Sequence, residues 1–279
     1  KNVVDNFTEM YAQGLTPNPC VECNRSVKFD HFIEQAKKLN CEKVATGHYA
    51  KIIKKNNEYE LHKADYLDKD QSYVLHMLKS SDLAHISFPL GEISKPDVRQ
   101  IAARIGLKTA FKKDSQDICF VGKKNYRSFV EKRIDLTSSG EIFDINGKKV
   151  GDHNGIHEFT VGQRKGLPGG YETPRYVTKI DVQNKNVTIG EKNDLLVSSF
   201  VVEELSCVNN LEYENLTIQT RYNSEDLACD IKKLSDTKIL VQLKEPAFGV
   251  APGQFGVIYN GTKVVCGGRI SSKVLENVG

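Results

Sequence analysis

From Phe200 to Ile270 the chain reads as six short apolar runs, at 200–208, 216–223, 227–234, 238–244, 255–259 and 263–270, with turn signals between them. Strands this short and this regularly interrupted point to a small closed antiparallel β-barrel. The texture upstream is different. As far as about Cys119, helical stripes alternate with short apolar strands, the pattern of an α/β layer. Past residue 124 a last helical stretch, Tyr126 to Ile134, gives way to strand-like pieces and turns. The chain is therefore expected to divide into an α/β region at 1–124, a small mixed region at 125–197 and the barrel at 198–279.

Local signals fill in these regions. Val3, Val4, Phe7, Met10 and Tyr11 form a helical stripe closed by Gly14, and Phe29, Phe32, Ile33, Ala36 and Leu39 form another that stops at Asn40. The first stripe is already under way at Lys1, with no cap before it, so further chain is expected upstream. Lys43 to Thr46 reads as a buried strand running into Gly47-His48-Tyr49. Open α/β sheets place their ligand sites at such strand-to-loop edges. Residues 52–55 and 59–62 pair around Asn56-Asn57, Asn146-Gly147 turns a second hairpin, and 176–181 with 186–189 forms a third. A helical stretch runs from Tyr73 to Leu78. Ser94 is placed to cap another helix, with Pro96 in its first turn, apolar residues at Val98, Ile101, Ala102 and Ile105, and Gly106 as its stop.

Cysteine usage and charge narrow the function. Seven cysteines spread over 279 residues are an odd number and no secreted disulfide framework, and no apolar run nears the length of a membrane span. A reducing cytoplasm fits this usage. The net charge is only +3, and it is unevenly placed: residues 198–279 have a slight acidic excess, residues 1–197 a basic one. Lys112-Lys113, Lys123-Lys124, Lys132-Arg133, Lys148-Lys149 and Arg164-Lys165 would permit contact with a phosphate backbone, without requiring it.

The stretch richest in chemistry is Thr16-Pro17-Asn18-Pro19-Cys20-Val21-Glu22-Cys23-Asn24-Arg25. Its two prolines stiffen the approach, and it delivers Cys20 and Cys23 just ahead of an amphipathic run. The start of a helix favours the thiolate, and Arg25 and Lys28 add positive charge. The pair alone fits a reactive dithiol, half of a zinc site, or two buried cysteines. A second polar segment, Lys112 to Phe120, presents Cys119. Cys41, Cys207, Cys229 and Cys266 fall on helix ends or strands and read as small buried apolar residues.

Several motifs occur in order: Thr16-Pro17-Asn18-Pro19 with Cys23-Asn24, Ala45-Thr46-Gly47-His48-Tyr49, Lys69-Asp70-Gln71-Ser72-Tyr73, Asp114-Ser115 with Ile118-Cys119-Phe120, and Gly162-Gln163-Arg164-Lys165-Gly166. With Thr220-Arg221-Tyr222 and Pro252-Gly253-Gln254 in the barrel, the set resembles the tRNA-specific 2-thiouridylase family (MnmA) over essentially the whole chain. The resemblance implies an adenine-nucleotide hydrolase-like, Rossmann-like catalytic domain at 1–124, a central tRNA-binding domain and the C-terminal barrel. It implies ATP and Mg2+ as cofactors and the anticodon stem-loop of tRNA as partner. A sulfur-donor protein, either a cysteine desulfurase or a sulfur relay, would supply the sulfur. The family's phosphate loop, Ser-Gly-Gly-x-Asp-Ser, does not occur in these residues. The piece by itself is accordingly expected to be inactive.

Carried over residue by residue, the resemblance makes Cys23 the nucleophile and Cys119 the carrier of a persulfide, with a disulfide between them during the cycle. It sets Gly47 at the nucleotide and Asn18, Pro19 and Cys20 at the target base. His48, Lys69, Asp70, Gln71, Arg221, Tyr222 and Gln254 would contact tRNA. The implied reaction adenylates the 2-oxygen of the wobble uridine, position 34, and replaces it with sulfur. Many relatives carry Asp where this chain has Cys20. Three thiols also open an alternative, a [4Fe–4S] cluster on Cys20, Cys23 and Cys119. A non-catalytic RNA-binding protein and a zinc protein built on Cys20 and Cys23 are the remaining alternatives.

Overall fold

The structure is a computed structural model that describes residues 3–113, 118–121, 126–133, 139–206 and 213–272. The α/β region opens with α1 (Val3–Ala12), whose Val3, Phe7, Met10 and Tyr11 are buried, and Gly14 ends it at φ +65. Then come α2 (Pro19–Glu22), a π-helical stretch (Cys23–Phe29) and α3 (Asp30–Lys38), end to end. Asn40 stops this rod at φ 55, a left-handed conformation that Asn tolerates. Strands β1 (Val44–Ala45), β2 (Lys51–Lys55) and β3 (Glu58–His62) follow, with α4 (Ser72–Leu75), α5 (Ser80–Leu83), β4 (Ile86–Ser87) and α6 (Lys95–Arg104). β1 pairs in parallel with β4, the only parallel pair of this region among the described residues. Ser94 caps α6 as expected, its Oγ accepting from the Asp97 N–H at 3.3 Å.

Helix α7 (Tyr126–Glu131) leads into a four-stranded sheet in the order β6-β5-β8-β7, made of β5 (Gly140–Asp144), β6 (Lys149–His153), β7 (Tyr176–Asp181) and β8 (Asn186–Gly190). Ile142, Val177, Val187 and Ile189 fill its small core. The barrel is built from β9 (Leu196–Ser206), β10 (Leu216–Gln219), β11 (Leu227–Ser235), β12 (Lys238–Phe248), β13 (Phe255–Asn260) and β14 (Lys263–Ile270). Its order is β13-β10-β11-β12-β9-β14, and the β13–β14 pairing closes the ring. The expected six-stranded antiparallel barrel is therefore present. Phe200, Val202, Ile218, Ile239, Val241 and Ile258 line its interior.

One connection departs from a simple chain of domains. The β2–β3 hairpin, turned by Asn56 and Asn57 at φ 47 and 66, belongs to the α/β region in sequence. It pairs instead with the barrel, Lys263 of β14 lying opposite His62. A continuous hydrophobic core then runs through both: Val21, Phe29, Tyr73 and Leu75 pack with Phe255, Val257 and Tyr259 of β13. A second cluster joins α1, α7 and the turn at 118–121 through Phe7, Tyr11, Phe120, Val121 and Phe129. Apolar burial of this kind stabilises by roughly 25 cal/mol per Å2, so the shared core holds the barrel against the α/β layer.

Two expected stripes are only half covered. Phe32 and Leu39 of the first rod are exposed, and α6 buries no residue, leaving Ile101 and Ile105 in solvent. Cys41 is also exposed, against the expectation of a buried thiol, because it follows the helix stop rather than facing the core. Cys229 and Cys266 are buried as expected, and Cys207 lies outside the described residues.

Candidate active site

The site is organised by the Asn18–Cys23 segment. Asn18 takes an extended conformation and caps α2, its Oδ1 accepting from the Cys20 N–H at 3.2 Å, with Pro19 next in the first turn. Cys20 and Cys23 stand one turn apart, so both thiols leave the same face of the rod. Cys23 opens the π-helical stretch, which the sequence pattern did not signal. Such widened turns recur at functional sites because they re-aim a side chain without breaking the helix. Behind the thiols, buried Asn24 donates from Nδ2 to the carbonyl of Val74 at 3.1 Å and fixes the rod against α4.

The barrel holds the approach to this segment. The Thr16 N–H donates to the Pro252 carbonyl at 2.9 Å, and Gln254 Nε2 donates to the Thr16 carbonyl at 3.1 Å. Arg269 reaches from β14 to Glu22 at 3.2 Å. Glu22 also pairs with Arg25 at 3.1 Å, so the positive charge that Arg25 was expected to lend the thiols is taken up by a carboxylate.

Cys119 sits exposed on the turn at 118–121, beside Phe120, whose ring meets Phe7 at 5.4 Å and Phe129 at 5.5 Å. That anchoring holds Cys119 within the electrostatic reach of Cys20. Burial pushes the Cys20 thiol above its ordinary range, the charge on Cys119 pushes the same way, Lys28 opposes it, and Cys23 adds a smaller upward push. Cys20 thus feels both of the other thiols. Cys20 has an exposed surface, yet this upward push runs opposite to the thiolate expected from a helix start, partial loss of water around the thiol outweighing the nearby cation. All three thiols are free. They do not reach the mutual spacing of a mononuclear metal site, which among the described residues only Glu131, His157 and Glu158 attain, within 4.8 Å of one another.

Residues from other elements face the thiols. Tyr73 is buried, its hydroxyl donates to the Phe255 carbonyl at 2.9 Å, and its ring lies 6.2 Å from that of Tyr222. Tyr222 is 40% exposed and feels the charges of Asp70, Lys69 and Cys20 together; burial, then Asp70, raises its phenol. Arg221 packs its guanidinium against two glycines, Gly162 of the Thr160–Leu167 loop and Gly249 of the barrel. Any Cβ at either would come within 3.2 Å of Arg221 Nη2. Arg221 therefore ties the basic loop of the middle domain to the site.

The other expected residues are placed as follows. His48 lies between Phe29 and Phe88 at 5.6 and 6.0 Å, with Nδ1 2.8 Å from Thr46 Oγ1, and burial first, then Lys28, pushes it down to about 4. It is neutral at pH 7. Gly47 is exposed just past the end of β1, and a Cβ there would meet only Leu90, at 3.6 Å. Asp70 is buried, with its carboxylate accepting from the Ala64 N–H at 2.8 Å and the Ser72 hydroxyl at 2.6 Å. Gln71 Oε1 accepts from the Tyr49 N–H at 3.0 Å. Residues 114–117, which belong to the second thiol motif, lie outside the described residues.

A thiol-bearing α/β region thus shares a core with a closed barrel, with a small four-stranded sheet between them in sequence. Family models match in the same order: the tRNA methyl transferase HUP domain at 1–123, the tRNA methyl transferase PRC-barrel domain at 127–191, and the Aminomethyltransferase beta-barrel domain at 197–270. The tRNA-specific 2-thiouridylase MnmA of Rickettsia prowazekii is 41% identical over 279 residues, covering 98% of this chain and 78% of that protein. The proteins of the same name from Rickettsia typhi and Rickettsia peacockii are 41% and 40% identical, over 78% and 76% of their lengths. The chain belongs to the tRNA-specific 2-thiouridylase family.

Proposed function

We propose that this protein replaces the 2-oxygen of the wobble uridine, position 34, of tRNA with sulfur, through Cys23 and a persulfide on Cys119. The observation that supports the reading is Cys20 and Cys23 one turn apart on a rod whose approach is clamped by the barrel, with Cys119 near enough for its charge to act on the Cys20 thiol. A Cys119 persulfide attacked by the Cys23 thiolate yields a Cys23–Cys119 disulfide and releases its outer sulfur as hydrosulfide. That sulfide bonds to C2 as the 2-oxygen leaves, and an external dithiol then reduces the disulfide. ATP, when bound, supplies the activation that turns the 2-oxygen into a leaving group. Exposed Gly47 is the proposed edge for the nucleotide. The family's phosphate loop is not among these residues, and Mg2+ would travel with the triphosphate.

The substrate base must leave its stack for its C2 to reach the thiols. Asn18, Pro19 and Cys20 would face it, with Tyr222 offering a ring for stacking. His48, Lys69, Gln71 and Arg221 are proposed to contact the anticodon stem-loop. Asp70 and the side-chain N–H of Gln254 are turned into the protein and would act on RNA by positioning their neighbours. In this reading residues 1–124 are catalytic, 125–197 bind tRNA, and 198–279 brace the thiol loop. The sulfur comes from a donor protein, a desulfurase or a relay.

The test is to load a protein that includes the family's phosphate loop with a persulfide donor and map the added sulfur by mass spectrometry. One extra sulfur on the Cys119 peptide, discharged by tRNA with ATP, is expected. Thiolation that survives Cys119→Ser would sink the assignment.

A further inference from the structure

Away from the thiols, a second group of side chains with metal-binding chemistry stands where α7 meets the four-stranded sheet. Among the described residues, Glu131, His157 and Glu158 alone bring one imidazole nitrogen and two carboxylate oxygens within 4.8 Å of one another. Glu131 ends α7, and His157 and Glu158 belong to the short 3-10 helix Ile156–Glu158 that follows β6. His157 is 3% exposed and aims Nε2 at Glu131 Oε1, 3.3 Å away. Its Nδ1 is buried and finds no hydrogen-bond partner. His153, at the end of β6, has the same defect. Its Nε2 lies 2.9 Å from the Lys185 carbonyl, its Nδ1 is buried without a partner, and it feels the charges of Glu158 and His157. Among the described residues no lysine or arginine pairs with Glu131 or Glu158. Buried polar atoms without partners and carboxylates without cations are both costly, and here they occur together.

We propose that Glu131, His157 and Glu158 bind a zinc ion that pins α7 to the turn after β6. The donor set selects the metal. One imidazole nitrogen with two carboxylates suits Zn2+, whereas Ca2+ and Mg2+ favour oxygen throughout. Zinc bonds of about 2.0–2.2 Å give a tetrahedral site ligand-to-ligand edges of roughly 3.3–3.6 Å. The 3.3 Å between His157 and Glu131 already has that length. It is longer than a charge-assisted hydrogen bond, which settles at about 2.7–2.9 Å. The Glu131 side chain is 48% exposed, so it can rotate to close the wider separations. The same exposure leaves a fourth position to water. A dication between two carboxylates and a neutral imidazole also cancels the local charge, which no lysine or arginine does. The consequence reaches past the turn itself. Phe129 of the same helix lies 5.5 Å from the ring of Phe120, the neighbour of Cys119. A metal that fixes α7 therefore braces the turn that presents Cys119, a structural role that touches no reacting atom.

The experiment is a calorimetric titration of Zn2+ into the full chain carrying Cys20→Ser, Cys23→Ser, Cys41→Ser and Cys119→Ser, because accessible thiols would bind the metal themselves. A matched protein adds Glu131→Gln and Glu158→Gln, which keep the side-chain shapes, and thermal melts confirm that both proteins fold. One Zn2+ per chain is expected in the first protein, with a melting temperature that rises with added Zn2+. The glutamine pair should weaken binding at least about tenfold and remove that rise. Absence of binding, or binding that the glutamine pair leaves unchanged, overturns the site. Ca2+ or Mg2+ bound as tightly as Zn2+ overturns the choice of metal. Should the glutamine pair fail to fold, Co2+ in the first protein decides: visible bands without a sulfur charge-transfer band support the site, and a sulfur band or no spectrum overturns it.

Discussion

Gln254 Nε2 donates to the carbonyl of Thr16 at 3.1 Å, joining a barrel turn to the loop that carries the thiols across 238 residues of sequence. Next to it Gly253 sits at φ +87, and a Cβ there would fall 2.8 Å from Thr16 N and 2.9 Å from Leu15 Cβ. The barrel turn and the thiol loop are thus one mechanical unit.

Gly253→Ala should strain the backbone and push the loop off its clamp, costing about 1–3 kcal/mol. Gln254→Ala should cost about 1 kcal/mol, the value of one hydrogen bond. Thermal melts give the stabilities, and the alkylation rate of Cys23 reports the loop. Equal stability and equal alkylation in Gly253→Ala would show that the clamp does not hold the thiols.

In a protein that includes the family's phosphate loop, Cys23→Ser is expected to abolish 2-thiouridine formation while tRNA affinity stays within about threefold, because binding comes from spread phosphate contacts and bond-making does not. Nucleoside analysis of tRNA after incubation with ATP and a sulfur donor measures the first, and anisotropy the second. A Cys23→Ser variant with near wild-type thiolation removes Cys23 from the mechanism.

Cys20 separates persulfide chemistry from cluster chemistry. A protein that includes the family's phosphate loop, purified anaerobically and assayed for iron and labile sulfide, should thiolate tRNA from a persulfide donor while containing no stoichiometric iron. Cys20→Asp should retain activity, since a carboxylate can serve the same proton at that position. Iron and sulfide in stoichiometric amounts, lost in Cys20→Ala along with activity, would favour a three-thiol cluster.

His76 makes stability depend on pH. It is 3% exposed, its Nδ1 lies 2.7 Å from the Tyr73 carbonyl, and burial pushes it down to about 4 from 6.5. Between those values the unfolded chain binds the extra proton, so stability rises with pH and is complete above about 6.5. As the pH falls through 4 the contribution is lost, on the order of 2–3 kcal/mol in all. His48, depressed in the same window, adds a smaller share because it is more open to solvent. Urea midpoints from pH 4 to 8 should show the slope, and His76→Gln should flatten it. An unchanged slope in His76→Gln would place the titration elsewhere.

Sequence alone determined what short-range chemistry fixes. Asn56-Asn57 adopt the positive φ values of a hairpin turn, Ser94 caps α6, Gly14 and Asn40 stop their helices, and six alternating runs become six barrel strands. Each is set by residues within a few positions of one another, so it can be read locally. The ordered motifs likewise carried the family. Only the tertiary structure decided the rest. It closed the barrel through β13 and β14, attached the β2–β3 hairpin to β14, and brought Cys119 into the field of Cys20. It left Cys41 and the Ile101–Ile105 face of α6 in solvent, where a helical stripe had implied burial. It also paired Arg25 with Glu22 and Lys149 with Glu141. Desolvation and long-range charge depend on which distant surfaces meet, and no local period encodes that.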